Sequence, residues 1–165
     1  MFEAKPVGIF SRAYELEAQE HLAALLKLAW LKEAGEVLVD GQSFKLHREG
    51  WMRGAFVLEK DGQEVVRAVK LSAFRSQFNL EIDSRFYSLK QASFFGGTFS
   101  VVHQGAVVGT LRRAGLFTQR ALIDLPSDWP IPIQAFVFWL VVILWNRQAS
   151  AAAVSAITTA ATAGR

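Results

Sequence analysis

One stretch near the C-terminal end restricts the fold more than any other: AFVFWLVVILW, the eleven apolar residues from Ala135 to Trp145. As a helix, at 1.5 Å per residue, it covers about 16 Å. A bilayer core is about 30 Å thick and takes around 20 residues to cross. Extension backwards meets Gln134 and two prolines; extension forwards meets Asn146, Arg147 and Gln148. The run is short for a span. It is also apolar all round, and a helix without a polar face is buried on every side. The expectation is therefore a core helix from about 131 to 147, with Phe136, Phe138, Trp139, Leu140, Val142 and Ile143 in the interior. The alternative is a tail anchor with 133–147 as a transmembrane helix, Trp129, Trp139 and Trp145 serving as interfacial aromatics and Arg147 as a flanking charge. Asp128 is a good N-cap, and proline is tolerated in a first helical turn.

Upstream the chain reads as short strands joined by tight turns. Asp40-Gly41 and Asp61-Gly62 are flanked by β-type residues, a strong hairpin signal because both central residues of a type I′ turn need positive φ. Gln104-Gly105 repeats the device more weakly. Phe78, Leu80 and Ile82 alternate with Asn79, Glu81 and Asp83, which implies a sheet with one buried face. The glycine pair Gly96-Gly97 reads as a strand junction or bulge. The segment from Tyr14 to Glu36 is ambiguous. Leu22, Leu25, Leu26 and Ala29 are spaced for a helix face, while Leu26, Leu28 and Trp30 share a strand face, and local pattern alone puts helix slightly ahead. About eleven or twelve strands result. An eight-stranded barrel is filled by its own side chains, whereas eleven or twelve strands can hold a helix along the axis.

Thirteen Phe and five Trp suit strands and a bulky interior. Cysteine is absent, which excludes disulfides and thiolate metal sites and fits a reducing cytoplasm. The net charge of +3 is spread over the middle of the chain. That is compatible with an anionic membrane surface and is weak evidence for nucleic acid, which is not expected as a partner. No signal peptide is read at the N-terminus. Residues 1–12 read as a flexible leader, 13–148 as the folded domain, and the Ala/Thr-rich stretch 149–165 as a disordered tail, with an Ala-rich extension of the helix as its alternative.

The layout of short strands with glycine turns, the strand VVGTLRR and the ending RALIDLPSDWPIPIQAFVFWLVVILWNR together resemble the tubby C-terminal-like superfamily. That group includes tubby domains, phospholipid scramblases and LURP-one-related proteins. The resemblance covers about Ala13 to Arg147. It implies a mainly β fold, a closed antiparallel barrel of about twelve strands around a hydrophobic C-terminal helix. It also decides the ambiguous segment in favour of strand. It implies a habit of working at membranes, and with it two rival readings, a lipid- or protein-binding module and a scramblase-like lipid-handling protein. The sequence departs from the scramblases in having no cysteine-rich stretch, no Pro-rich leader and no acidic calcium loop.

No catalytic constellation is visible. His21, His47 and His103 lack metal spacing, and there is no nucleophile elbow, Walker loop or dinucleotide fingerprint. No enzyme activity, cofactor or metal is expected. The polar set of most interest is basic: Arg67 and Lys70 on one strand, Arg112 and Arg113 on another, and Arg120 on the next. If these strands adjoin, some of the five could form a cationic patch for lipid headgroups; the competing reading is a solvated exterior with scattered charges. The expected location is the cytoplasm, peripheral at the inner membrane face, with a protein partner as the other candidate and membrane anchoring by the helix as the alternative.

Overall fold

The computed structural model describes residues 1–8, 12–29, 33–50, 54–70, 77–92, 97–115 and 118–163. Twelve antiparallel strands close into a barrel: β1 (Phe2–Pro6), β2 (Ala13–Ala18), β3 (His21–Leu28), β4 (Ala34–Val39), β5 (Gln42–Arg48), β6 (Phe56–Lys60), β7 (Gln63–Lys70), β8 (Gln77–Ile82), β9 (Arg85–Gln91), β10 (Phe99–His103), β11 (Ala106–Arg113) and β12 (Ala121–Asp124). Each strand pairs with its sequence neighbours, and β1 closes the ring against β12, Phe2 opposite Ile123 and Ala4 opposite Ala121. One helix follows, α1 (Ile131–Ala163).

Every second strand connection is a two-residue turn at one end of the barrel. The turns are Gln19-Glu20, Asp40-Gly41, Asp61-Gly62, Asp83-Ser84 and Gln104-Gly105, with positive φ at both positions of each. This is the geometry whose twist matches the flanking strands. Three were read from the sequence; the other two place ordinary side chains where glycine is cheapest. A left-handed conformation costs a non-glycine residue about 1–2 kcal/mol. Ser84→Gly, at φ 60°, is therefore expected to raise unfolding stability by about 0.5–1 kcal/mol in chemical denaturation, after the entropy glycine adds to the unfolded chain. An unchanged or lower midpoint would mean that the turn carries no such strain.

The other connections gather at the opposite end. The odd strands run towards it, and their inward residues alternate as period two requires. Phe44 and Leu46 on β5, Val66 and Ala68 on β7, and Tyr87 and Leu89 on β9 are buried. The segment that local pattern assigned to helix is β2, β3 and the start of β4, as the resemblance implied, and Trp30 lies outside the described residues. Ala24 and Leu26 face the core, while Leu22 is exposed.

The helix fills the barrel. Ile133 to Trp145 is buried without a break. Its aromatic contacts reach three strands spaced evenly around the ring. Phe138 meets Tyr14 of β2 at 5.2 Å between ring centroids, Trp139 meets Phe56 of β6 at 5.5 Å, and Trp145 meets Phe99 of β10 at 6.4 Å. Those same three strands carry register shifts, at Leu16/Glu17, Leu58/Glu59 and Val101/Val102. A bulge bends its strand and raises the local twist, which helps a sheet to close. Gln134, the one polar residue in the buried run, donates from Nε2 to the carbonyl of Trp129 at 2.8 Å. All six expected core residues, Phe136, Phe138, Trp139, Leu140, Val142 and Ile143, are buried. From Ile131 to Ala152 the helix is long and apolar enough to cross a membrane by length and composition, yet most of that window lies inside the protein.

Three expectations need correction. The leader is not loose: Phe2–Pro6 is a barrel strand paired on both sides, and residues 9–11 lie outside the described residues. The tail is not disordered at 149: the helix continues to Ala163, sustained by the high helix propensity of alanine, and residues 164–165 lie outside the described residues. The helix N-cap is Pro130, whose carbonyl accepts from the Ile133 and Gln134 amides, rather than Asp128. Of the glycine pair, Gly96 is outside the described residues, while Gly97 stands just before β10 with φ 64° and accepts the Trp145 indole N–H on its carbonyl at 2.8 Å.

Candidate functional site

The five basic residues singled out in the sequence do not form one patch. Residues three apart or adjacent on a strand point to opposite faces. Arg67 is on the outer wall, donating to Glu49 at 2.6 Å and to Glu64 at 3.0 Å. These two carboxylates push the Arg67 pKa up, and Arg67 in turn lowers that of Glu49. With two acids around one cation, Arg67 offers little attraction to an anionic ligand. Arg112 is exposed on the outer wall. Arg120 lies 3.6 Å from Glu3 on the outside, where such a pair contributes little.

Lys70 and Arg113 have the inward phase. They belong to a collar formed by the last residues of the odd strands: Pro6, Leu28, Arg48, Lys70, Gln91 and Arg113. Each follows a buried residue two positions earlier, namely Ala4, Leu26, Leu46, Ala68, Leu89 and Leu111. At this level the barrel interior ends and the helix emerges. The helix meets the collar with Trp145, Arg147 and Gln148. The Arg113 guanidinium sits over the Trp145 ring at 5.0 Å from its centroid, and Gln148 donates to Gln91 at 3.0 Å.

The densest charge in the collar is a group that the sequence reading missed. Arg48 Nη1 donates to Glu33 Oε2 at 2.9 Å, and Arg147 Nε donates to Glu33 Oε1 at 2.9 Å. Both guanidiniums also flank the Phe56 ring, at 5.6 and 5.8 Å from its centroid. Lys70 stands near enough to be affected by all three. Its pKa is lowered first by burial and then by Arg147 and Arg48, against the opposing pull of Glu33. The positive charge here exceeds what Glu33 can neutralise. The available signal was period two itself: LHR, AVK and LRR each place a cation two residues beyond a core position at a strand end. Arg147 and Glu33 are 114 residues apart and carry no local signal of their meeting.

Among the described residues the two ends of the barrel differ in sign. The tight turns carry Glu20, Asp40, Asp61 and Asp83, with Asp128 beside the helix start and Lys60 and Arg85 as basic neighbours. The helix-exit end carries Arg48, Lys70, Arg113 and Arg147, with Glu33 and Glu49 as acidic neighbours.

Other features offer little chemistry. A depression of about 270 Å³ beside the helix start is lined by Val39, Asp40, Gln42, Phe44, Ile131 and Pro132, with no converging set of titratable groups. Among the described residues no group of three or more His, Asp or Glu could hold a metal. His103 Nδ1 lies 2.8 Å from the Phe86 carbonyl, and His47 Nδ1 lies 4.0 Å from Glu59. The class defined by the fold is a closed twelve-stranded antiparallel barrel packed around a buried C-terminal helix. No family model, curated protein or solved structure matches the chain.

Proposed function

We propose that the protein is a non-enzymatic binding module of tubby-like, LURP-one-related type that meets anionic membrane surfaces with the end from which its helix emerges. The observation that carries this reading is the opposite sign of the two barrel ends. In the field of an anionic leaflet such a molecule orients with its collar towards the lipid and its acidic turns away. Each basic residue near the surface contributes about 1 kcal/mol, and the attraction decays within a Debye length. The expected setting is the cytoplasm, with the protein peripheral at the inner membrane face. The filled interior argues against a carrier of large ligands, because the helix occupies the space that such a ligand needs.

Vesicle flotation tests this. Wild-type protein is expected to float with phosphatidylserine vesicles and to be released by salt. Arg113→Glu, at the collar, should cut recovery several-fold. Arg112→Glu, one residue away on the outer wall, should cut it far less. Equal effects would show that net charge rather than the collar governs attachment. No recruitment by the wild type would remove the membrane reading and leave a protein partner. A second reading, favoured by the length of the apolar helix, places 133–147 across a bilayer. It requires the barrel to give up its core, and protein that resists both salt and alkaline carbonate would support it.

A further inference from the structure

Large apolar side chains left in water gather at the acidic end of the barrel. Among the described residues eight are exposed, and six of them, Met1, Leu22, Val65, Phe86, Val107 and Val108, stand at or just before the start of an odd strand. Three of the six adjoin. Ser88 of β9 lies opposite Val102 of β10, which lies opposite Val107 of β11. Phe86 is the next outward residue after Ser88 towards the tight turn, so it sits diagonal to Val102, within reach of an aromatic side chain. Val108 is the extra residue at the register shift beside Val107. Phe86, Val102, Val107 and Val108 thus make one apolar patch on the outer wall, with Phe86 71% and Val107 61% exposed. A lone exposed hydrophobe is ordinary, whereas a contiguous group that includes a largely exposed phenylalanine marks a contact surface.

Acids flank this patch on both sides. Glu81 of β8 lies opposite Phe86, and Asp83 follows in the turn. Beyond β11, Asp124 lies opposite Thr110 at the end of β12. Glu3, Glu17, Glu36, Glu49 and Glu64 are each paired with a lysine or arginine. Glu81, Asp83 and Asp124 have no ion pair among the described residues. Arg85 opposes Ile82 and has the inward phase of Tyr87, off the outer wall. The flanking acids repel an anionic leaflet. A symmetric second copy would set the same acids face to face, which like charge disfavours. Strands β9, β10 and β11 are each paired on both sides, so no edge is open to an added strand. A helix covers such a patch with one apolar face. From β9 to β11 is two strand spacings, about 10 Å, and two helical turns rise about 11 Å.

We propose that Phe86, Val102, Val107 and Val108 form a docking surface for a basic amphipathic helix of a partner protein. Its apolar residues, at i, i+3 or i+4, and i+7, lie over the patch. Its lysines or arginines reach round the curved wall to Glu81, Asp83 and Asp124. The surface lies at the end of the barrel away from the collar. It does not rest on the membrane-surface reading, and it stays open to a partner when the collar is on a leaflet.

The test uses the full chain and a fluorescent model helix of leucine and lysine, about 14 residues or four turns long, with leucines at the stated spacing. Anisotropy reads binding, and a leucine–glutamate helix of the same pattern is the control. The lysine helix should bind and the glutamate helix should not. Phe86→Ser should weaken binding roughly tenfold, the effect of exposing about one large apolar side chain. Glu81→Gln with Asp124→Asn should weaken it several-fold and flatten its salt dependence. Val69→Ser, an exposed valine on β7 outside the patch, should leave it unchanged. All these are surface changes, so the melting curves should coincide with that of the wild type. No binding of the lysine helix, or equal binding by Phe86→Ser, overturns the proposal. Gel filtration and flotation with neutral phosphatidylcholine vesicles separate the other occupants. A dimer that Phe86→Ser dissolves assigns the patch to a second copy, and flotation that Phe86→Ser abolishes assigns it to lipid; either result overturns the proposal.

Discussion

Leu140→Asp is expected to leave no folded domain. Leu140 is fully buried at the middle of the enclosed helix, with Trp139 on one side and Val141 on the other equally inaccessible. A carboxylate there has no partner, and burying an unpaired charge costs several kcal/mol or forces protonation. Lost packing adds about 2–5 kcal/mol by analogy with large-to-small core changes. Against a total stability of about 5–15 kcal/mol, the two together suffice to unfold most domains. Phe138→Asp should behave alike, because it also removes the edge-to-face contact with Tyr14. Leu140→Met conserves volume and should cost less than about 1.5 kcal/mol. Circular dichroism and gel filtration of the three variants check this. A soluble Leu140→Asp protein with a native melting curve would place the helix outside the barrel.

The second large effect is expected at the other end of the chain. Removing residues 1–6 deletes β1 and opens the ring, since β1 bridges β12 and β2. Two core side chains, Phe2 and Ala4, go with it. Phe2 alone is worth about 1.5–3 kcal/mol of burial, and each lost ladder hydrogen bond about 1 kcal/mol. Beyond the energy, β2 and β12 become unpaired edges, and exposed edges template aggregation. The truncated protein should precipitate or elute as oligomers, and its melting midpoint should fall by at least ten degrees, which corresponds to about 2.5–5 kcal/mol for a domain of this size. A monomer with unchanged melting would restore the reading of this segment as a flexible leader.

That segment shows where sequence reading runs out. FEAKP alternates Phe2, Ala4 and Pro6, but three positions with one small and one cyclic side chain are too few to register as a strand. Its pairing depends on β12, more than a hundred residues away. The interior of the barrel was legible because its signals are local. Asp-Gly turns need positive φ, Phe78, Leu80 and Ile82 alternate, and AFVFWLVVILW has no polar face. The segment from Tyr14 to Glu36 was not, because Leu22, Leu25 and Leu26 satisfy a helical period while the strand buries Ala24 and Leu26. A resemblance of layout decided it correctly where local pattern did not.

The candidate site divides along the same line. Lys70 and Arg113 were named from sequence, and period two could have separated them at once from Arg67 and Arg112, which face outwards. Arg48 could have been added by the same rule. Glu33 and Arg147 depend on where a helix emerges from a ring of strands, a property of the closed fold that no stretch of the chain encodes alone.

The enclosed helix also constrains the order in which the molecule can be assembled. It follows all twelve strands in sequence, so during synthesis it leaves the ribosome after every one of them. Nearly all strand pairs are neighbours in sequence and can form early, as local contacts do. The ring cannot close before the helix arrives, because a closed barrel admits no helix through its wall. Until then the nascent sheet must persist as an open, curled ribbon with its apolar face uncovered and the edges of β1 and β12 unpaired. This interval is when such a chain is most prone to aggregate. Closure of β1 on β12 around the finished helix is the step that ends it.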